Sequence, residues 1–247
     1  MKLSIVTIAY NNLDGLKKTL EIFLDGKYAD RVEHVIVDGG SSDGTREFLE
    51  KLKLSATWVS EKDTGIYNAM NKGLAMAKGD YVWFLNSGDY VHDGRTLELV
   101  LNALDRHPDA LYGETMMVSP SGREMGTRSE ISTRKLPETL HWKSFSMGMN
   151  VGHQSFIIRR QLAVPYDETY RYVSDIDWMI FCLKQCRTVV NLKTVLACFT
   201  LEGFSSANRK ASNLERYKVL KKHYGWLPNL LAHAGIIMRK LFGAGKI

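Results

Sequence analysis

The chain opens on an unbroken apolar run, "LSIVTIA" at residues 3–9, which gives way at once to polar "YNN". Continuous apolar runs without alternation are the mark of strands buried on both faces. The pattern returns at "VEHVIVD" (32–38), "ATWVS" (56–60), "DYVWFL" (80–85) and "ALYGE" (110–114). Between these runs the apolar period lengthens. "NLDGLKKTLEIFL" (12–24) sets Leu13, Leu16, Leu20 and Leu24 near helical spacing, and "GGSSDGTREFLEKL" predicts a helix capped by Ser42 or Asp43 with Phe48, Leu49 and Leu52 as its apolar residues. "TGIYNAMNKGLAMAKG" (64–79) gathers Ile66, Ala69, Met70, Leu74 and Ala77 on one side and closes at Gly79, and "GRTLELVLNALDRH" (94–107) stops at Pro108. Strands alternating with helices of this length predict an α/β fold, a mostly parallel central sheet flanked by helices.

After residue 114 the regularity weakens. The sequence predicts a hairpin over 115–127 around Pro120–Gly122, a strand at 152–160, a helix at 174–185, and a pair of strands in "RTVVNL" and "TVLACFTL". One domain is expected through residue 206, followed by a helical tail, 207–247. Within that tail "NLLAHAGIIMRKLF" (229–242) places Leu230, Leu231, Ala234, Ile237, Met238 and Leu241 on one face.

Charge sharpens the division. The net charge is +6, yet residues 207–247 alone carry +8, nine Lys and Arg against Glu215, which leaves −2 for residues 1–206. The basic character therefore belongs to the tail. An amphipathic basic helix fits either an anionic membrane surface or docking on the domain, and the nearby aromatics (Tyr217, Tyr224, Trp226) lack the interleaving that nucleic-acid binding needs. Cys182, Cys186 and Cys198 have no framework spacing, and Cys182 and Cys186, at i, i+4 on an expected helix, read as buried apolar positions, since zinc would want two further ligands nearby and none is evident. No signal peptide and no stretch of about 18 apolar residues is evident, so a cytoplasmic, reducing location is expected.

In mostly parallel sheets ligands gather at the carboxyl ends of the strands. Those ends carry "AYNN" (9–12), "VDGGSSDG" (37–44), "SEKD" (60–63) and "NSGD" (86–89), which sets Asp38, Asp63 and Asp89 on one rim. Asp89 after Gly88 suits a hard divalent cation held by one carboxylate and substrate phosphates, or else an Asx-type turn capping the next helix. Asp38 can accept from a base imide N–H while the amides of residues 39–42 face a diphosphate, or the segment is a plain βα loop with Asp43 as cap. Neither the G-x-G-x-x-G spacing on the first strand nor a G-x-x-x-x-G-K-[ST] loop is present, which disfavours both common cofactor folds.

"SIVTIAYNN", "VIVDGGSSDGT", "SEKDTGIYNAMNKGLAMAKGDYVWFLNSGD" and, far downstream, "VSDIDW" stand in the order expected of glycosyltransferase family 2, which the chain resembles over roughly residues 1–205 and most closely over 1–90. The resemblance implies the GT-A fold, with a nucleotide-sugar-binding half (1–114) and an acceptor half (115–206). It implies an inverting, metal-dependent sugar transferase of the kind that assembles bacterial surface polysaccharides such as colanic acid or capsule. It also implies a divalent cation (Mn²⁺ or Mg²⁺), a nucleotide-sugar donor (UDP first, GDP or dTDP otherwise) and a glycan or lipid-linked acceptor; peripheral contact with the cytoplasmic face of the inner membrane is expected from the basic tail. By position, Thr7, Ala9, Tyr10, Asn11, Asp38, Asp63, Asn71 and Ser87 match donor-binding positions, Asp89 the metal ligand and Asp175 the general base. His153 and Gln154 match the "HQ" pair near the acceptor or diphosphate, and Glu202, Gly203, Ser205 and Ser206 resemble a "GG-x-S" loop.

Two positions depart from that pattern. Asn86 stands where a first carboxylate is common, and Ser174 replaces the acidic neighbour of the base, which leaves Asp177 as a rival. Helical spacing favours Asp175, because Asp177 lies about 200° further round the same helix. Two other readings remain. A sugar-1-phosphate nucleotidyltransferase calls for a Gly-rich, Arg/Lys-bearing loop after the first strand, which "AYNNLDG" lacks. A non-catalytic glycan-binding protein on a decayed transferase fold draws on the Asn86 and Ser174 departures.

Overall fold

The structure, a computed structural model, describes residues 1–201 and 209–226. One mixed sheet carries the chain. Its strands are β1 (Leu3–Ala9), β2 (Val32–Asp38), β3 (Ala56–Ser60), β4 (Tyr81–Phe84), β5 (Tyr90–Val91), β6 (Ala110–Val118), β7 (Glu124–Thr127), β8 (Phe156–Arg159) and β9 (Val189–Thr200). Their order is β3-β2-β1-β4-β8-β6-β9-β5, with β7 beside the far end of β6. The first four strands pair in parallel, β8 runs antiparallel to both neighbours, and β6 and β9 are parallel.

Both faces of β1, β2 and β4 are covered, which is why most of their side chains are apolar, while the edge strand β3 is only half-buried. Val6, Ile8, Val35, Val37, Val82 and Phe84 face one layer. That layer is built from α3 (Ile66–Met76) and α6 (Ser174–Gln185). Leu3, Ile5, Tyr81, Trp83 and Leu85 face the other, where α4 (Gly94–Leu104) inserts Leu97, Val100, Leu101 and Leu104. α1 (Leu13–Leu20) and α2 (Thr45–Glu50) enclose a third cluster of Leu16, Leu20, Ile36 and Leu49. The alternation is the two-residue period of a strand whose every side chain meets a helix. Two helix starts follow the capping chemistry: the Asn12 side chain accepts from the Gly15 amide (3.1 Å), and Asp93 from Thr96 (2.6 Å); α2, expected to be capped by Ser42 or Asp43, instead starts from Gly44 at φ +91° with no side-chain cap. Asp43 binds the Leu13 amide (2.8 Å) and Thr45, tying the loop after β2 to α1.

α3 lies so close to β1 that a Cβ on Gly73 would collide with the Val6 side chain. Gly73→Ala is expected to destabilise the protein by about 1–3 kcal/mol through overpacking, in spite of alanine's better helix propensity, as read from urea unfolding.

Two expectations need correction. The pair of strands expected around 187–201 is a single strand, β9: Lys193 adopts φ +52° and the register against β6 slips there, so the chain bulges without leaving the sheet. The strand expected over 152–160 is shorter, because residues 153–155 form a 3₁₀ turn before β8. The hairpin around Pro120–Gly122 is present as β6–β7.

A short α5 (Arg128–Ile131) follows β7, and α7 (Arg209–Tyr224) packs on α6. Val219 and Leu220 of α7 are buried in the core shared with α3 and α6. Asp177 of α6 meets Lys222 (3.1 Å) and His223 (2.7 Å). The expected "GG-x-S" loop at 202–206 and the amphipathic segment 229–242 lie outside the described residues. Among the described residues no helix is long and apolar enough to cross a membrane.

Candidate active site

The turn after β4 is built by hydrogen bonds to its surroundings. The Asp89 amide donates to the Asn86 carbonyl (2.8 Å), Gly88 sits at φ +100°, and the Gly88 amide donates to Thr19 Oγ1 (3.0 Å). Ser87 donates its amide to Ile8 (2.9 Å) and its hydroxyl to the Asn12 carbonyl (2.7 Å). These contacts hold Asp89, 5% exposed, against a cavity of about 590 Å³. Asp89 caps no helix, since Asp93 takes that part for α4. Burial pushes its carboxyl up to about 8, although hydrogen bonds from the Gln154 side chain and the Asn86 backbone act the other way. Asn86 Oδ1, on the same cavity, is buried with no hydrogen-bond partner among the described residues.

A carboxylate and an orphaned amide oxygen are hard oxygen donors. They do not make a cage: among the described residues no group of three or more His, Cys, Asp or Glu could hold a metal. They do fit Mg²⁺ or Mn²⁺ of the kind that keeps most of its shell for water and substrate phosphates.

Asp175 lines the same cavity from the first turn of α6. The Ser174 hydroxyl anchors that turn to the Asp167 carbonyl (2.8 Å), Asp175 Oδ1 accepts from the Ile176 amide (2.9 Å), and the Tyr67 hydroxyl lies 3.5 Å from the same oxygen. Burial raises the Asp175 carboxyl, against the pull of Arg216 and Arg128. Asp177, two residues on, is turned from the cavity and spent on Lys222 and His223. His153 and Gln154 complete this wall. His153 Nε2 and the Tyr166 hydroxyl are 2.6 Å apart, and burial lowers the imidazole to about 4, so it is neutral at pH 7.

Ser87, Asp89, His153, Gln154 and Asp175 thus share one cavity. The remaining expected positions do not line it. Tyr10 is 66% exposed at the end of β1. Asn11, at φ +47°, binds Ser41 Oγ through its amide (2.7 Å) and the Ser42 amide through its side chain (2.8 Å). Asp38 is fully buried and accepts from the Ser41 amide and hydroxyl and from Ser60 Oγ (2.6 Å), so a base N–H has to compete with these hydroxyls for it. Asp63 lies over Gly39, beside Tyr10, and accepts from the Gly65 amide (3.0 Å). Thr7 and Ala9 are buried within β1. Asn71 is spent elsewhere: its amide bonds both backbone groups of Tyr166 (3.0 and 2.7 Å) and Glu168 (2.8 Å).

Sequence reasoning missed Tyr67 and Arg171 in the cavity wall and the two arginines near Asp175, whereas Tyr172, expected beside Asp175, does line the cavity. Tyr67 lies inside the stretch 60–89 that carried the resemblance; nothing in the basic tail distinguished Arg216 from its neighbours.

The family model Glycosyl transferase family 2 matches residues 4–163. An uncharacterized glycosyltransferase of Mycobacterium tuberculosis is 28% identical over 97% of this chain and 91% of its own length. A PGL/p-HBAD biosynthesis glycosyltransferase of Mycobacterium bovis is 31% identical, over 61% of this chain and 57% of its own. Among solved structures, S. aureus TarS (residues 1–349) in complex with UDP-GlcNAc superposes with a TM-score of 0.68 at 22% identity, covering 89% of this chain; the chain spans 64% of that structure. The mannosyltransferase PcManGT of Pyrobaculum calidifontis, in complex with GDP-Man and Mn²⁺, gives 0.62 at 14% identity over 99% of this chain and 76% of that one.

Proposed function

Because the chain belongs to glycosyl transferase family 2 and is a glycosyltransferase of GT-A fold, we propose that it moves a sugar from a nucleoside-diphosphate donor to an acceptor hydroxyl with inversion, and that Asp175 is the base. The observation that carries this reading is the placing of Asp89 and Asp175 on one cavity while Asp177 is held by an ion pair with Lys222 and a hydrogen bond to His223.

Asp175 takes the proton from the acceptor hydroxyl as that oxygen attacks the anomeric carbon; the nucleoside diphosphate departs from the opposite face, and configuration inverts. A carboxylate at its ordinary pKa of about 4 is a weak base, so the upward push of burial improves the match to neutral pH. Tyr67 fixes the carboxylate's orientation from α3. Asp89, with Asn86 Oδ1 beside it, would hold a divalent cation, which when bound supplies positive charge to the leaving diphosphate. Neutral His153, braced by Tyr166, offers a hydrogen-bonding wall without adding charge.

Tyr10, Asn11, Asp38 and Asp63 border the nucleoside end, with residues 1–114 as the donor half and 115–206 as the acceptor half. UDP is the first candidate and GDP the second, in keeping with the ligands of TarS and PcManGT. The acceptor is a glycan or lipid-linked sugar in surface-polysaccharide synthesis, reached from the cytoplasmic face of the membrane through the basic tail. Calorimetry of UDP and of GDP, each with and without Mn²⁺, is expected to show Mn²⁺-dependent binding of one of them. Binding of neither would overturn the donor assignment.

A further inference from the structure

His153, in the 3₁₀ turn before β8, leans on β4, the strand that leads into the Asn86–Asp89 turn. Its ring packs on Phe84 with centroids 5.5 Å apart, and Trp83 Nε1 donates to the carbonyl of the next residue, Gln154 (2.7 Å). Behind the imidazole stands Tyr166, which is 3% exposed and does not line the cavity. The phenol ring is fixed on three sides: it stacks on Trp178 (4.8 Å) and Tyr67 (5.7 Å) and meets Phe84 edge-on (5.4 Å). Its backbone is clamped by Asn71, whose side-chain amide donates to the Tyr166 carbonyl and accepts from the Tyr166 N–H.

A buried phenol is a donor that calls for an acceptor, and among the described residues the Tyr166 hydroxyl has one hydrogen-bond partner, His153 Nε2 at 2.6 Å. Were Nε2 to carry the proton and donate, the phenol proton would be left without an acceptor in the interior. The phenol therefore donates and Nε2 accepts. Because the imidazole is neutral, its own proton is then on Nδ1. Nδ1 has no hydrogen-bond partner among the described residues, which leaves it as the polar ring atom that His153 offers to the cavity it lines. We propose that Tyr166 is a positioning residue that holds His153 as its Nδ1–H tautomer, so that the ring presents a hydrogen-bond donor to a phosphate oxygen of the nucleotide. A lone pair at that point would repel the same oxygen. The phosphate contact rests on the Asp89 turn being the diphosphate side of the cavity; the tautomer does not. Asn71 then serves the site at one remove, by setting Tyr166.

The test uses the full chain with ¹⁵N-labelled histidine. Two-bond ¹H–¹⁵N spectra at neutral pH, without ligand, report which ring nitrogen carries the proton, and His153 is identified among the seven histidines by its loss in His153→Gln. The parent is expected to show a protonated Nδ1 and a bare Nε2. Tyr166→Phe is expected to show a mixture of tautomers and a turnover lower by roughly ten-fold, less than the 10²–10³-fold lost when such a donor is removed outright, because part of the population keeps Nδ1–H. A protonated Nε2 in the parent overturns the proposal, and that reading needs no variant to fold. A Tyr166→Phe protein that keeps the single Nδ1–H form overturns it as well, since Tyr166 would then only fill space. UDP and GDP, each with Mg²⁺, are added last, and the Nδ1 signal is expected to shift with the one that binds. A nucleotide that binds in calorimetry yet leaves Nδ1 unmoved overturns the phosphate contact. If neither nucleotide binds, the donor reading falls while the tautomer, measured without ligand, stands.

Discussion

Asp175→Asn is expected to lower sugar transfer by roughly 10²–10⁴-fold, the usual worth of a general base, with nucleotide binding unchanged. The substitution keeps the shape of the side chain and removes only its capacity to take a proton. The Ile176 amide can still donate to the remaining oxygen. Asp177→Asn is expected to act in the opposite sense. Its carboxylate does not line the cavity and instead joins α6 to Lys222 and His223 of α7. Neutralising it leaves that contact undercharged at a nearly buried position and should cost ~1–3 kcal/mol of stability, less than a wholly buried pair because Lys222 is partly exposed. At this chain length that corresponds to a fall in Tm of about 2–4 °C per kcal/mol. Turnover and thermal unfolding of the two variants separate these effects. A stable, inactive Asp177→Asn beside an active Asp175→Asn would reverse the assignment.

The choice between these two aspartates was legible in the sequence because it depends only on helical geometry. Two residues are about 200° on a helix, so once α6 opens at Ser174 one carboxylate faces the cavity and the other the helix behind. The parallel half was legible for a similar reason: strands covered on both faces are mostly apolar rather than alternating, and β1 and β2 begin and end where those runs do. Features set by long-range contact were not. β9 read as two strands because the polar step at Lys193 resembles a turn, while its pairing with β6, some 80 residues earlier, carries it through as a bulge. Asn71 lies in a motif-rich helix, yet its amide is committed to Tyr166 and Glu168, partners about 95 residues away that no local pattern discloses. Arg216 sits among basic residues of ordinary helical spacing, and the burial of its Nε follows only from how α7 docks.

Asp89→Asn is expected to produce two opposed effects, and their combination is the strongest test of the cation site. With the carboxyl raised to about 8 in the folded protein and about 4 in the unfolded chain, the folded state retains a proton across that interval that the unfolded state has lost. Native stability therefore falls as pH rises from about 4, and above about 8 the whole cost of a buried, uncompensated carboxylate is present. Asparagine is neutral throughout. Ligand-free Asp89→Asn should thus match the parent protein near pH 4 and exceed its Tm by several degrees at pH 8. Mn²⁺-dependent nucleotide binding should be lost in the same variant, since Asn86 Oδ1 alone offers no charge to a cation. Thermal scans at the two pH values and calorimetry of UDP with Mn²⁺ measure both effects. Unchanged nucleotide affinity would remove Asp89 from the metal site. Unchanged stability at pH 8 would mean that the buried carboxylate is already compensated, and the reason for placing a cation beside it would be gone.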